Sequence, residues 1–386
     1  MGRIPKVVLL VESSRASGRA ILKGVADYAR YHGPWSFFWE PAGLEKAGPM
    51  LQTLGADGVV LRDVDKLPEV RKFGLPAVVV GYSREAIPGL INVTTDSERI
   101  GRMAAEHLLQ CGFKRFASCS YEKTPWAELR VKSFAEAIHS VGCEISHYTA
   151  PAPAKVNWLK ERQLMAEWLR SLPKPVGVMA CNDDCGVQVM EACKLASLSV
   201  PDAVGVIGVD DDELVCGLAD PAMSSVALNF ERAGYEAAQA LDKLMHRARG
   251  VPRQITVQAT HIVARRSTDV VAVEDEPVAK AMQYIRDHPR EALSVADVAR
   301  AVGLSRRVLE RRFRREINSS VLAEIRRVRT DQIARLLVET HLPVSDIAES
   351  MGFADAQHFA RYFRAGKQLT PLAYRKRFGA KSTARA

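Results

Sequence analysis

The sequence has no long apolar run, few aromatic residues and no cysteine pattern typical of a metal site. Aromatic residues make up 7% of the 386 positions, and the seven cysteines are scattered without the paired spacing of structural zinc sites. The apolar run Val7–Val11 is too short for a signal peptide or a membrane span. We therefore expect a globular, cytoplasmic protein with reduced thiols and no contact with a membrane.

The sequence also lacks a nucleotide-binding fingerprint. After the first predicted strand, Lys6–Val11, the loop reads ESSRASGR, which has neither the dinucleotide-site nor the phosphate-loop glycine spacing. No nucleophile and base pair, phosphate loop or metal-ligand set supports catalysis elsewhere. The expectation is a binding protein with no cofactor and no metal, rather than an enzyme.

Positive charge is concentrated towards the carboxy terminus. The net charge is +9, and the segment from residue 276 onward holds 22 Lys and Arg against 12 Asp and Glu, whereas the first 275 residues hold 32 against 33. An uneven distribution of this kind is expected if one part of the chain meets a polyanion such as DNA. A solvated basic helical surface is the alternative interpretation.

Two similar helical patterns occur in this basic segment. Each begins with a serine that can cap a helix, Ser294 or Ser345, and reaches a glycine at which the chain turns, Gly303 or Gly352. A second helix follows, with apolar residues on one side and polar or basic residues on the other. This arrangement is the helix-turn-helix pattern of proteins that read the major groove.

The polar sides of the two second helices carry the side chains expected to contact DNA. Arginine can form two hydrogen bonds with guanine, and glutamine can do so with adenine. Arg314, Arg364 and Lys367 are expected to meet phosphates, which position a protein without specifying sequence. The expected DNA-binding residues are Arg306, Arg307, Glu310, Arg311, Gln357, His358, Arg361 and Arg364.

A single helix is predicted between the two patterns, from about Ser320 to Thr340. At about 1.5 Å per residue, this helix is roughly 30 Å long. One turn of B-DNA spans about 34 to 36 Å. A rigid helix of this length can hold the two reading helices over successive major grooves.

A set of residues around the second pattern matches a known signature: Asp346, Ile347, Ala348, Gly352, Phe353, Phe359, Arg361, Phe363, Thr370, Pro371, Tyr374 and Arg375. Through them the segment from about Glu276 to Phe378 resembles the DNA-binding domain of the AraC family of transcription regulators. The family usually has a glycine where Gln368 stands, so the local turn is the one uncertain feature. The resemblance implies an all-α domain that binds double-stranded DNA.

The first 270 residues alternate between short apolar runs and amphipathic segments. Alternation of this kind predicts parallel sheets covered by helices, and two such series predict two lobes. Short helices are expected around Pro49–Leu54 and near Pro68–Phe73. Ligands of open α/β sheets bind at the carboxyl ends of the strands. The polar residues that follow predicted strands, such as Glu12–Arg15, are therefore candidates for a ligand site.

Trp126 and Arg130 are the most distinctive of these candidates. They lie four residues apart, so both can point from one helix face into the same cleft. An aromatic plate beside arginine and carboxylates suits a sugar, whose C–H face stacks on the ring while its hydroxyls bond to the charged groups. Taken singly, Trp126 can cap an apolar helix face, Arg130 can form a surface ion pair, and the acids at 183–184 and 210–212 can cap helices.

Three further stretches match a second known pattern, namely GVIGVDDDEL at 205–214, SSVALNFERAGYEAAQAL at 224–241 and ARRST at 264–268. Through them the segment from Lys6 to Thr268 resembles the sugar-sensing core of LacI-type regulators and their periplasmic sugar-binding relatives. LacI-type proteins place the DNA-binding part first, whereas here it comes last. The ligand residues expected from this resemblance are Ser14, Arg15, Trp126, Arg130, Asp183, Asp210 and Asn229.

The expected architecture is a two-lobed α/β sensor of the periplasmic-binding-protein-like, LacI type, with parallel sheets, followed by an all-α AraC-type domain with two helix-turn-helix motifs. The expected boundaries are 1–268 for the sensor (lobe 1 at 6–94 and 230–260, lobe 2 at 95–228), 269–277 for a linker, 278–378 for the DNA-binding domain and 379–386 for a disordered tail.

The function that these two resemblances imply is control of transcription by a small sugar, such as the pentose xylose. The sugar would bind between the lobes and bias their closure. The expected partners are double-stranded DNA, the sugar effector, RNA polymerase and a second copy of the chain in a homodimer. A sugar-binding carrier or receptor module without DNA output is the alternative.

Overall fold

The computed structural model describes residues 3–41, 54–62, 74–81, 87, 89–151, 158–270, 272–273 and 275–379. The two short helices expected around 49–54 and near 68–73 lie outside the described residues, apart from residue 54. None of the described helices combines the length and apolar character that crossing a bilayer requires.

The strands that the structure describes form two six-stranded sheets. They are β1 (Lys6–Leu10), β2 (Ser36–Trp39), β3 (Gly58–Arg62), β4 (Ala77–Val80), β5 (Ile91–Thr95), β6 (Phe116–Tyr121), β7 (Ile145–Ala150), β8 (Val176–Ala180), β9 (Val204–Asp210), β10 (Ser224–Leu228), β11 (Gln254–Val257) and β12 (Ala259–Val263).

The described helices cover the sheets of the sensor and make up the basic domain. Those of the sensor are α1 (Ala16–His32), α2 (Ser97–Gln110), α3 (Pro125–His139), α4 (Trp158–Ser171), α5 (Asp183–Leu195), α6 (Glu213–Leu218) and α7 (Phe230–Met245). Those of the basic domain are α8 (Glu276–Asp287), α9 (Val295–Ala301), α10 (Arg306–Ile317), α11 (Val321–Glu339), α12 (Val344–Ser350), α13 (Ala356–Lys367) and α14 (Pro371–Phe378).

Each sheet belongs to one lobe. The first has the order β11-β5-β4-β3-β1-β2, and its strands are parallel throughout. The second has the order β12-β10-β9-β8-β6-β7 and is parallel except for β12, which runs antiparallel to β10. The interior strands are buried along their length, as continuous Val, Ile and Leu runs predict. The predicted two-lobed α/β class is confirmed.

The chain crosses between the lobes at three single residues, which we call the hinge: Asp96, Asn229 and Gln258. Asp96 joins β5 to α2, Asn229 joins β10 to α7, and Gln258 joins β11 to β12. The first two also cap the helices that follow, since Asp96 accepts from the Arg99 amide (3.2 Å) and Asn229 from the Arg232 amide (3.1 Å). All three crossings are therefore short, and the first two are fixed at their helical ends.

Close packing of α2 on α3 sets the position of the latter. A Cβ atom at Gly101 would lie 2.4 Å from the carbonyl oxygen of Arg130 and 2.6 Å from the amide nitrogen of Phe134. Only glycine permits this approach of two helix backbones. Gly101 thereby places the helix that carries Trp126 and Arg130.

The basic domain has two small cores joined by one helix. The first core surrounds Leu309 and Phe313 and the second surrounds Phe359 and Phe363, while α11 contributes side chains to both. The predicted central helix from about 320 to 340 corresponds to α11, which Ser320 caps by accepting from the Ala323 amide at 3.1 Å. The two expected helix-turn-helix motifs are thus α9–α10 and α12–α13.

The turns of the two motifs follow the sequence pattern at most positions. Ser294 caps α9 in a capping box, and Gly303 and Gly352 have φ values of 68° and 73°. The prediction for Ser345 is wrong, because Pro343 occupies the cap of α12 and Ser345 lies inside that helix.

Two helix boundaries depart from the usual or expected pattern. Gln368 adopts the left-handed conformation (φ 58°) at the end of α13, so the turn forms without the usual glycine. The first helix of the basic domain begins at Glu276, two residues before the expected start, because the Asp275 side chain accepts from the Val278 amide (3.3 Å).

We expect Gly101→Ala to lower the free energy of unfolding by about 1 to 3 kcal/mol, because the added methyl group forces α2 away from α3. The control is Gly217→Ala, at a helical position where the added Cβ meets no atom within 4 Å. That change should leave stability unaltered or raise it by about 0.5 to 1 kcal/mol. Urea unfolding of both variants measures the difference, and equal effects would contradict the packing argument.

Candidate functional site

The candidate ligand site lies where strands of both lobes end. Arg130 is buried, and its guanidinium donates to the carbonyl oxygen of Cys181 at 2.6 Å and to Oδ1 of Asp210 at 3.3 Å. The same guanidinium lies over the Trp126 ring, 4.6 Å from its centroid. Nε of Arg130 is buried and has no hydrogen-bond partner among the described residues. The structure therefore brings together Trp126, Arg130 and Asp210 and leaves a donor unpaired.

The backbone at Asp210 takes an unusual course. Its φ is 105° and that of Asp211 is 53°, both in the left-handed region that residues with a side chain rarely adopt. The turn is held by the Asp211 amide, which donates to Oγ of Ser225 (3.0 Å), and by an ion pair of Asp211 with Arg265 (2.8 Å). Backbone strain of this kind, which costs about 1 to 3 kcal/mol, clusters at ligand sites.

Asp183 supports this turn instead of facing the cleft. Its Oδ1 accepts from the Ser225 hydroxyl (2.6 Å) and its Oδ2 accepts from the Asp212 amide (2.8 Å). The backbone at Gly208 is close as well, since a Cβ there would lie 2.3 Å from Oδ1 of Asp183. These contacts give Asp183 a supporting role at the turn, and its expected direct ligand role stays a prediction.

Burial dominates the electrostatics of both carboxylates. Burial raises the pKa of Asp183 well above its ordinary value, and the nearby Asp210 charge adds to the effect. Burial also raises the pKa of Asp210, although Arg130 and Arg62 oppose the shift by favouring the charged form. A cation of the first lobe, Arg62, thus acts on the charge of the Asp210 carboxylate.

Arg62 lies at the candidate site but was not among the ligand residues expected from the sequence. It is the last residue of β3, it is buried, and it forms an ion pair with Oε1 of Glu12 at 2.5 Å and a contact with Oγ of Ser17 at 3.4 Å. The rule that polar residues at strand ends are ligand candidates would have identified it. The first lobe thus contributes a charged pair, Arg62 with Glu12, to the site.

Contacts across the cleft hold the two lobes together. Arg15 forms an ion pair with Asp184, and Asp212 accepts from the Ala16 amide at 2.8 Å and pairs with Arg19 at 3.6 Å. The helix α1 of one lobe is thereby bound to the turn 210–212 of the other. Arg15, which is exposed, serves lobe contact in this structure.

Ser14 also lies at the rim of the cleft. Its side chain is exposed, and its carbonyl oxygen accepts from Arg19 at 3.0 Å. The expected ligand role of Ser14 therefore stays a prediction.

Both polar atoms of the Asn229 side chain have partners within the chain, so Asn229 stays an expected ligand residue that the site proposed below does not include. Its Nδ2 donates to the carbonyl oxygens of Phe378 (2.5 Å) and Gly379 (3.2 Å), while its Oδ1 caps α7. The amide is therefore engaged by the basic domain and by the helix it caps. Gly379 is buried at this contact, which corrects its expected place in a disordered tail, and residues 380–386 lie outside the described residues.

The polar faces of α10 and α13 are open to solvent. In the described part of the chain, no acidic side chain pairs with the arginines expected to contact DNA on these two faces. Asp355 caps α13 by accepting from the amides of Gln357 (2.9 Å) and His358 (3.0 Å). The exposed members are Arg306, Arg307, Arg311, Gln357, His358, Arg361 and Arg364, whereas Glu310 is half-buried.

Several other basic residues of the domain form ion pairs. Arg312 and Arg315 pair with Asp275 at 3.4 and 3.0 Å. Lys367 pairs with Asp331 at 2.6 Å, and its expected role as a phosphate contact stays a prediction. These three cations are therefore compensated by carboxylates, in contrast to the arginines expected to contact DNA.

Arg329 fixes the second motif to the central helix. Its guanidinium lies 4.6 Å from the centroid of the Phe353 ring and 5.6 Å from that of Tyr362, and it donates to the carbonyl oxygen of Met351. Arg329 is buried, so these contacts are shielded from water. The orientation of α13 relative to α11 is thus set by a stacked cation.

Two family models match the chain. A periplasmic binding protein-like domain matches residues 105–268, and a helix-turn-helix domain matches residues 298–377. The first covers much of the sensor and the second covers both motifs. The matches agree with the two-part architecture expected from the sequence.

Similar proteins extend over nearly the whole chain. The xylose operon regulatory protein of Escherichia coli strain K12 is 30% identical over 96% of this chain and 96% of its own length. That of Haemophilus influenzae is 28% identical over 96% of this chain and 98% of its own length. The solved structure of a xylose-binding transcription activator has a TM-score of 0.61 and 28% identity and covers 97% of this chain and 98% of its own.

Asp183→Asn should remove one pH-dependent contribution to stability. Because the pKa of Asp183 is raised in the folded state, this carboxyl stabilises the protein most below its unfolded pKa of about 3.9, and the contribution is lost as pH rises towards the folded pKa. The unfolding free energy of the variant minus that of the wild type should therefore increase from about pH 5 to about pH 8. Urea unfolding across this range measures it, and a constant difference would contradict the assignment.

Proposed function

Because this chain belongs to the family of the xylose operon regulatory proteins, we propose that xylose or a closely related pentose is the ligand of its cleft and controls its binding to DNA. The chain is a sugar-controlled transcription regulator with a helix-turn-helix domain, and its relatives are regulators and not enzymes. The identity of the sugar, its contacts and the DNA contacts are the parts proposed here.

The observation that carries the ligand proposal is the buried Arg130 with its unpaired Nε, placed against Asp210 and Trp126. A polyhydroxylated ring offers hydroxyl oxygens that accept from arginine and hydroxyl hydrogens that a carboxylate accepts. Its C–H face can pack on the indole beside them. The charged pair Arg62 and Glu12 supplies further donors and acceptors from the opposite lobe.

The DNA-binding proposal rests on the two exposed reading faces. The central helix α11 spans 19 residues, or roughly 28 Å, which is close to one turn of B-DNA. Arg307, Arg311, Gln357 and Arg361 are the proposed base readers, because arginine suits guanine and glutamine suits adenine. The exposed Arg364 is a proposed phosphate contact.

The assembly and its cellular setting are further parts of the proposal. A homodimer formed through the sensors would place two DNA-binding domains on neighbouring sites of one promoter. The similar solved structure is described as a transcription activator, which supports contact with RNA polymerase after DNA binding. A protein with these partners would act in the cytoplasm, where the promoter DNA lies.

We expect xylose to raise the melting temperature of the full chain, because a ligand at 100 times its dissociation constant adds about 2.7 kcal/mol of stability. Asp210→Asn should weaken xylose binding by about 1.5 to 3 kcal/mol, the usual loss for a hydrogen bond to a charged group. The control is Glu136→Gln, an exposed carboxylate on the helix that carries Arg130. A thermal shift that persists unchanged in Asp210→Asn would contradict the proposed site.

Arg361→Ala and Arg364→Ala should affect DNA binding in different ways. Arg361→Ala removes a proposed base contact, so it should reduce discrimination at one base pair by about 1 to 3 kcal/mol. Arg364→Ala removes a proposed phosphate contact, so it should weaken binding to all sequences alike. It should also reduce by about one the slope of log binding constant against log salt concentration. Gel-shift titrations with duplexes selected by the full chain and with random duplexes at several salt concentrations separate these outcomes. The control is Arg315→Ala, since Arg315 is already paired with Asp275.

A further inference from the structure

The last helix of the DNA-binding domain, α14, docks on the hinge of the sensor. Asn229, itself a hinge residue, donates from Nδ2 to the carbonyl oxygens of Phe378 and Gly379 at the end of this helix. The Phe378 ring lies 4.6 Å beneath the guanidinium carbon of Arg99, in the first turn of α2 just after the hinge residue Asp96. Helix α14 thus contacts the crossing at Asn229 directly, and it contacts the crossing at Asp96 within one helical turn.

The third crossing is reached through Tyr374. Its hydroxyl donates at 3.1 Å to the carbonyl oxygen of Thr260, two residues beyond the hinge residue Gln258. Tyr374 is 2% exposed and Phe378 is 1% exposed, so the contact is desolvated. Hydrogen bonds in such surroundings are lost when the geometry of their partners changes, because water cannot replace them.

The same helix packs against the second helix-turn-helix motif. The Tyr374 ring packs edge-on against Phe363 of α13, with centroids 5.2 Å apart, and Nε of Arg375 donates to the carbonyl oxygen of Leu337 at 3.2 Å. Tyr374 therefore has its ring in the core of the second motif and its hydroxyl on the sensor hinge. A displacement of the hinge would be carried to the reading helix through one side chain.

The first motif is attached to the sensor elsewhere. Arg286 of α8 donates to the carbonyl oxygen of Gln110 at the end of α2 (3.0 Å) and to that of Val270 (3.2 Å). Lys114, which follows α2, pairs with Glu316 of α10 at 3.7 Å. These contacts lie on the second lobe, away from the hinge, so movement of the lobes would affect the two motifs unequally.

We propose that α14 is the coupling element through which lobe closure sets the position of the second helix-turn-helix motif, with Asn229 as its positioning residue. In the closed state, Arg15 and Arg19 of the first lobe pair with Asp184 and Asp212 of the second lobe. Closed lobes favour docking of α14 on the hinge, and opening of the lobes releases it. The control of DNA binding by a sugar in this scheme rests on the proposed function, whereas the link between closure and docking does not.

The link is tested without a ligand by charge reversal on α1 of the full chain. The double change Arg15→Glu and Arg19→Glu places like charges against Asp184 and Asp212 and drives the lobes apart. The matched control changes Lys23→Glu and Arg30→Glu, two cations of the same helix that pair with Glu231 and Asp27 inside the first lobe.

Hydrogen exchange of residues 371–379 is the measurement. The proposal expects exchange roughly tenfold faster in the lobe-opening variant than in the control, because local stability of the docked helix falls. Equal exchange rates in the two variants would overturn the proposal, whatever ligand the cleft binds.

A second variant tests Asn229 itself. Asn229→Asp keeps an oxygen that can cap α7 but replaces the amide donor by a carboxylate facing two carbonyl oxygens. The control is Tyr148→Phe, which removes one hydroxyl bond to Glu161 (2.7 Å) in the second lobe, away from α14.

The readout is the ratio of DNA dissociation constants without and with xylose. For the wild type and the control we expect this ratio to be roughly 5- to 150-fold. For Asn229→Asp we expect a ratio near one, while xylose still raises its melting temperature. A wild-type ratio in Asn229→Asp would refute the positioning role. If xylose shifts the melting temperature of none of the proteins, the proposed ligand fails, and the charge-reversal experiment still decides the coupling.

Discussion

The buried guanidinium of Arg130 is the constraint on which the sensor's site depends. A charge removed from water is tolerated only if most of its donors find partners. The protein supplies the Cys181 carbonyl, the Asp210 carboxylate and the face of Trp126, and it leaves Nε unpaired. Helix packing at Gly101, the strained turn at 210–211 and the supporting bonds of Asp183 all serve to keep these groups in place.

The DNA-binding domain solves a different electrostatic problem. It must be strongly positive on two faces and yet remain folded, which requires that cations elsewhere be neutralised. Asp275 and Asp331 do this for Arg312, Arg315 and Lys367, whereas in the described residues no carboxylate pairs with the arginines expected to contact DNA. Two small cores joined by α11 keep those faces at a fixed separation.

One contact between the sensor and the DNA-binding domain lies where the chain crosses between the lobes. Each crossing between the lobes is one residue long, and α14 contacts all three crossings or their immediate neighbours. A ligand that changes the angle between lobes acts on an interface, not on a flexible tether. The order of the domains, with the reader behind the sensor, makes this contact possible because the end of the chain can return to the hinge.

The sequence by itself determined the two-lobed α/β class, the double motif, the central helix and the cluster of Trp126, Arg130 and Asp210. These follow from periodicity, strand-end position and i to i+4 spacing, which are local properties. Only the tertiary structure decided the partners of Asn229 and Lys367 and the supporting role of Asp183, and it revealed Arg62. Asn229 meets Phe378 across 149 residues and Lys367 meets Asp331 across 36, and no local pattern encodes which distant groups a polar side chain will satisfy.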